Sequence, residues 1–167
     1  MSSKSSPLTE VEIVQNPALG SYALWRFGLG HQSDDDRAAL FPLSFLVLPL
    51  VLHRPTLDLI NSTQKASGLA LFAAKLGKER ENLLAVHERA LSLRQLTLDS
   101  IGMGVGQRLL TLNYDAATLR ANALDPRTRK PTIPERIKGL SGAADKIGFW
   151  FSQLGFQQIS SILIVEF

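Results

Sequence analysis

The chain contains no cysteine, and its 167 residues include only three histidines, two methionines, two tryptophans and two tyrosines. The missing cysteines exclude disulfides, thiolate metal ligands and a cysteine nucleophile, and they fit a reducing cytosol. His31, His53 and His87 each lack a second His, Asp or Glu at ligand spacing. No metal site is expected. Long apolar runs are also missing. The densest, Phe45 to Leu52, holds eight residues and is interrupted by Pro49, whereas a bilayer span needs ~20. The opening MSSKSSPLTEVEIV has no apolar signal core, so the expectation is a cytoplasmic protein without a membrane partner.

Catalytic signatures are equally scarce. Gly77-Lys78 is the only Gly-Lys pair, and position 72, where a phosphate loop needs glycine, is Phe. Gly102, Gly104 and Gly106 have the wrong spacing for a dinucleotide fingerprint and are read as a helix end and turn. Asp34, Asp35 and Asp36 are read as a solvated loop, and no nucleophile elbow occurs. The expectation is no enzyme, no catalytic residue and no cofactor.

What is present is apolar mass and one cluster of charge. Apolar residues make up 45% of the chain, enough for a sizeable core. The net charge is +3. Arg127, Arg129, Lys130, Arg136 and Lys138, opposed by Glu135, concentrate +4 between 127 and 138 and leave the remainder at −1. Pro126, Pro131 and Pro134 make this an exposed connection. Two readings stand side by side: a solvated loop, or a contact to nucleic-acid phosphates or an acidic partner. No aromatic residue is interleaved for base stacking.

Along the chain, residues 1–15 read as a flexible segment with Val11–Val14 as an edge strand, and 16–167 as one domain. Asn16-Pro17 gives a helix start, because Asn caps and Pro tolerates the first helical position. Gly28 and Gly30 weaken the end of that helix. Phe41 to His53 reads as a buried segment open to two types: Val, Leu and Phe suit a strand, while Pro42 suits the first position of a helix kinked at Pro49, and helix is favoured. Pro55 opens a short helix, and Ser62 or Thr63 caps a third that ends at Gly77. Glu79 to Ser100 reads as one long helix, with Leu84, His87, Leu91 and Leu98 at helical spacing. His87 on that stripe and His53, beside a helix end, are read as structural. Leu109–Asn113 and Thr118–Ala123 read as a hairpin, and a last long helix starts near Pro134. The class is mainly α with a small β-hairpin, α+β, in a winged-helix-like outline. Phe72, Phe149, Trp150 and Phe156 exceed the needs of one small core and are candidate partner anchors.

Four pieces occur in order: Asn16-Pro17-Ala18-Leu19-Gly20, FLVLPLVLH (Phe45 to His53), Ile60-Asn61-Ser62-Thr63, and Leu163-x-Val165-x-Phe167. With them the chain resembles the middle component of three-component ABC-ATPase systems found in bacterial conflict and phage-defence loci, of which the Lamassu type is one. The resemblance implies a non-enzymatic accessory subunit. Its partners would be an SMC-like ABC ATPase and an effector, often a nuclease, with DNA engaged through the complex. It transfers no catalytic residue. The alternative is a free-standing winged-helix transcription regulator, whose candidate recognition helix, Lys65 to Leu76, offers only Lys65 and Lys75 to a groove.

Overall fold

The first helix, α1 (Pro17–His31), is set by its cap. The Asn16 Oδ1 accepts hydrogen bonds from the backbone N–H of Ala18 and Leu19 at 3.0 and 3.3 Å. The structure, a computed structural model, describes residues 16–125, 127 and 135–167, the side chains of 135–137 excepted. The expected flexible segment and edge strand within 1–15 lie outside the described residues.

Contrary to expectation, α1 is not weakened at Gly28 and Gly30; it continues through both to His31. The glycines answer close approaches that local sequence does not reveal: a Cβ on Gly28 would press on Ala121, and Gly30 lies at a helix crossing. Helix α7 (Glu135–Ser152) runs against α1 so closely that a Cβ on Gly30 would fall on the Asp145 carbonyl oxygen. From the other side, a Cβ on Gly148 would fall on the Phe27 carbonyl oxygen. This is α1's most extensive packing.

After α1 the chain forms strand β1 (Ala39–Leu40), a 3-10 turn (Phe41–Leu46), and helices α2 (Val47–Val51) and α3 (Arg54–Ser62). The apolar run is therefore helical, and Leu46 to Val51 are all buried. A second 3-10 turn (Lys65–Ser67) leads into α4 (Gly68–Leu76), with Gly77 at its C-cap. Neither Ser62 nor Thr63 caps that helix. Ser62 ends α3, and the Thr63 hydroxyl donates back to the Leu59 carbonyl at 2.7 Å. His53 stands at the N-cap position of α3, its Nδ1 2.8 Å from the Thr56 hydroxyl.

The expected long helix is two: α5 (Arg80–Ser92) and α6 (Arg94–Gly106), broken at Leu93. Gly102, Gly104 and Gly106 belong to the closing turns of α6. Gly104 gives room to the Leu110 and Ser21 side chains. Strands β2 (Leu110–Asn113) and β3 (Thr118–Ala121) form the hairpin, with Leu110 opposite Ala121 and Asn113 opposite Thr118. β1 pairs antiparallel on the other side of β3, giving the order β1-β3-β2. Gln32 extends β3's pairing. Its amide donates to the Ala121 carbonyl and its oxygen accepts from the Ala121 N–H, at 3.0 and 2.7 Å. The chain ends in α8 (Phe156–Leu163) and a short tail.

The result is α+β, mainly helical: eight α-helices and one small antiparallel sheet among the described residues. The hairpin follows α6, so α5 and α6 stand between it and α4. One core runs from Ala23 to Val165. Cations close several helix C-termini, where orphan carbonyls concentrate negative potential. Lys146 Nζ donates to the Ile60 and Thr63 carbonyls at 2.9 and 2.7 Å, and Arg37 donates to the Ser152 carbonyl at 3.2 Å. Arg89 donates to the Pro49 carbonyl at 3.1 Å. Burial holds Lys146 below the usual lysine range, with Lys75 nearby adding to it, and burial lowers Arg89 as well.

No single helix among the described residues is long and apolar enough to cross a membrane. The 3-10 turn with α2, joined to α3, passes by length and composition, but the pair bends by 101°.

Candidate protein-docking site

The site begins with a stripe. Leu84, Leu91, Leu98 and Val105 recur every seven residues along α5 and α6, and each is exposed: 43, 60, 39 and 41%. Within each helix the spacing sets a pair on one face, Leu84 with Leu91 on α5 and Leu98 with Val105 on α6, and all four stay exposed in the described fold. Within α5 only Val86 is fully buried.

Beside the stripe lies a groove of about 420 Å³ with three walls. The first 3-10 turn supplies Phe41, Pro42, Phe45 and Leu46. Helices α5 and α6 supply His87, Ala90, Leu91, Arg94 and Leu98. The C-terminal tail supplies Val165, Glu166 and Phe167. Phe41 and Phe45 meet edge to face with centroids 5.3 Å apart, which fixes their wall.

The tail is aimed into the groove by an unusual residue. Ile164 caps α8 in the left-handed region at φ 54. A β-branched side chain there is strained. Around it, the Ser160 hydroxyl donates to the Val165 carbonyl at 2.6 Å, and the Val165 N–H donates to the Ser160 carbonyl at 3.1 Å. Val165 is buried, and the Glu166 N–H donates to His87 Nδ1 at 3.3 Å. His87 thus ties tail to helix. Among the described residues Arg94, by contrast, has neither a hydrogen-bond nor an ion-pair partner.

The structure separates the four aromatic anchors proposed from sequence. Phe72 and Trp150 are 0 and 1% exposed and stack on each other at 5.6 Å, so their surface is spent inside this chain's own core. They are withdrawn as interface residues. Phe149 and Phe156 are half-buried. Lys65 Nζ sits 4.6 Å over the Phe149 ring, and Phe156 packs on Phe167 at 4.6 Å. Phe156 therefore buttresses the groove's tail wall. Sequence reasoning passed over Phe41, Phe45, Arg94 and Phe167. The seven-residue repeat was the signal that pointed to their neighbourhood.

The basic set is also divided. Arg127 is exposed in the connection after β3, its N–H donating to Asp125 Oδ1 at 2.9 Å. Arg136 and Lys138 lie in the first turns of α7, and Lys138 is exposed. Arg129 and Lys130 lie outside the described residues. The three adjacent aspartates serve different partners. Asp34 accepts from Gln153, Asp35 pairs with Arg37, and Asp36 pairs with Arg120. Among the described residues no three His, Asp or Glu side chains gather as a metal-binding group.

No curated protein and no solved structure matches the chain. A family model described as "ABC-three component (ABC-3C) system Middle Component 3" matches residues 4–167, almost the whole length. The chain thus belongs to the Middle Component 3 family and is an accessory middle component of an ABC-three component system.

Proposed function

We propose that this protein is the non-catalytic adaptor of its system. It joins an SMC-like ABC ATPase to an effector in a Lamassu-like antiphage and anti-plasmid complex in the cytoplasm. DNA is engaged by the assembled complex. The observation that carries this reading is the uncovered apolar groove with its leucine stripe. A contiguous exposed apolar surface is the mark of a docking face. Family membership supplies the other components as its natural partners.

The free-standing regulator draws no support from α4. That helix carries one cation, Lys75, whose amine is turned onto the Ser62 carbonyl and the Thr63 hydroxyl at 3.4 and 3.2 Å. The preceding Lys65 is held between Phe149 and Asp145. Neither is presented as a base-reading side chain.

The test is co-expression with the ATPase and effector components of the same system, followed by size-exclusion chromatography. One co-eluting complex is expected. Separate elution at micromolar concentration removes the adaptor reading. In parallel, the purified chain is assayed for ATP hydrolysis and DNA cleavage. Turnover that follows it through successive columns removes the non-catalytic claim.

A further inference from the structure

Cations from four elements gather where α3 ends. Lys146, from α7, donates to the Thr63 carbonyl at 2.7 Å, and Lys75, from α4, to the Thr63 hydroxyl at 3.2 Å. Two residues further on, Lys65 is exposed, its amine 3.8 Å from Asp145 Oδ2. Arg26, from α1, lies 3.7 Å from Asp145 Oδ1. Among the described residues Asp145 is the one carboxylate paired with any of the four, and both of its contacts are longer than a hydrogen bond. Asp58, one turn earlier on α3, is taken by Arg54 at 3.3 Å.

This charge is not quenched where it sits. The carbonyls closing α3 hold two of the amines, but a helix end carries only about half an elementary charge. Burial lowers Lys146, and the charge of Lys75 lowers it further, as expected of two amines with no anion between them.

The surface around the amines narrows the partner. Asn61, Ser62 and Gln64 flank Thr63 and are exposed. The Asn61 amide lies over Gly139 of α7, its nitrogen 2.9 Å from where a Cβ would stand. Hydroxyl, amide and lysine N–H groups are the usual contacts to phosphate oxygens. A protein interface draws its energy from apolar anchors at its centre, whereas the centre here is polar. Phe149 is half-buried and has the Lys65 amine over its ring at 4.6 Å, so it offers no open face to an unpaired base.

We infer that this face lies along the phosphate backbone of duplex DNA in the assembled complex. The contact is independent of sequence, because Lys75 and Lys146 are fixed on protein oxygens instead of reaching for base edges. The inference rests on the reading that the complex engages DNA, and it names a surface with which this chain does so. That surface is separate from Arg127, Arg129 and Lys130 in the basic connection.

The test uses the full chain assembled with the ABC ATPase and effector components of its system. Binding to linear duplex DNA is followed by fluorescence anisotropy at stepped KCl. Lys65→Gln with Lys75→Gln is expected to weaken binding equally for two unrelated sequences. It should flatten the slope of log affinity against log salt by up to about two units. Arg108→Gln, at an exposed cation before β2, is expected to leave the slope unchanged. Size-exclusion chromatography and circular dichroism confirm assembly and folding. If the double variant does not fold, Lys65→Gln alone is read in the same way, for up to about one unit.

An unchanged slope in the assembled variant overturns the inference, while DNA engagement by the complex stands. Loss of assembly by the folded variant overturns it in favour of an acidic protein partner. A wild-type complex that does not bind duplex DNA overturns both the inference and the reading beneath it.

Discussion

The α1–α7 crossing and the α5–α6 face are built from opposite materials. At the crossing, glycines let two backbones meet, and side chains such as Phe27 and Phe151 close edge to face at 5.7 Å around them. On the α5–α6 face, leucines stand in solvent at regular intervals with nothing described above them. The small residues belong to a finished contact and the large apolar ones to an unfinished one. Residue size is thus a poor guide to where a protein's cohesion lies. What counts is whether the opposing surface is supplied by the same chain.

Variants break this contrast in graded steps. Gly148→Ala should have the largest effect on folding, because the new methyl group meets the Phe27 carbonyl and the His31 N–H, neither of which is a movable side chain. A loss of about 3 kcal/mol or more is expected in urea melts. A neutral result would show that the two helices separate easily. Phe72→Ala should follow closely, at about 3 kcal/mol, while Phe149→Ala, half-buried beside Trp150, should cost clearly less. Equal losses would erase the distinction between core and rim drawn for these aromatics.

Acid tests the closed region more gently. His31 is buried against Phe27, and its Nδ1 lies 2.8 Å from the Arg37 carbonyl. Burial, its largest influence, holds the ring below its ordinary value of 6.5. The neutral ring is therefore the form the fold keeps. Below pH 6.5 the unfolded chain takes up a proton that the folded chain resists. This contribution to stability is complete above 6.5 and is lost as pH falls from there towards the folded value. His31→Gln should flatten stability across that window, as read by melts at stepped pH.

At the open face the expected loss on folding is small. Leu91→Ser and Leu98→Ser should each change stability by no more than about 0.5 kcal/mol. A loss near that of Phe72→Ala would mean that the stripe is covered after all. The basic connection should be quieter still in folding. Its triple change, Arg127, Arg129 and Lys130 to Ala, should show only in DNA binding by the assembled complex, flattening the slope of log affinity against log salt by up to about three units. An unchanged slope would leave 127–138 a solvated linker.

The contrast also explains what the sequence made legible. The starts of α1 and α3 could be read because Asn16-Pro17 and Pro55 act within a few residues. The hairpin could be read because its strands are neighbours. β1 could not, since Ala39 pairs with Leu119, 80 positions away. Gly28 and Gly30 looked like weak points because what needs their space, Ala121 of β3 for one and the α7 backbone at Asp145 for the other, lies far along the chain. The break at Leu93 was hidden because the apolar rhythm continues across it. That rhythm identified a face without identifying what covers it. Phe72 and Leu91 look equally apolar in sequence, yet one is core and the other is surface. The candidate site was thus visible as a pattern before its exposure gave the pattern a meaning.

The light anchoring of α5 has a consequence in time. With Val86 its only fully buried side chain and Arg89 its tie to the Pro49 carbonyl, α5 is expected to open without the rest of the domain. Its amides should exchange with deuterium well before those of α1 and α7. A docked partner would slow that exchange first, so the clock of α5 reports occupancy of the groove even when the average shape of the protein stays the same.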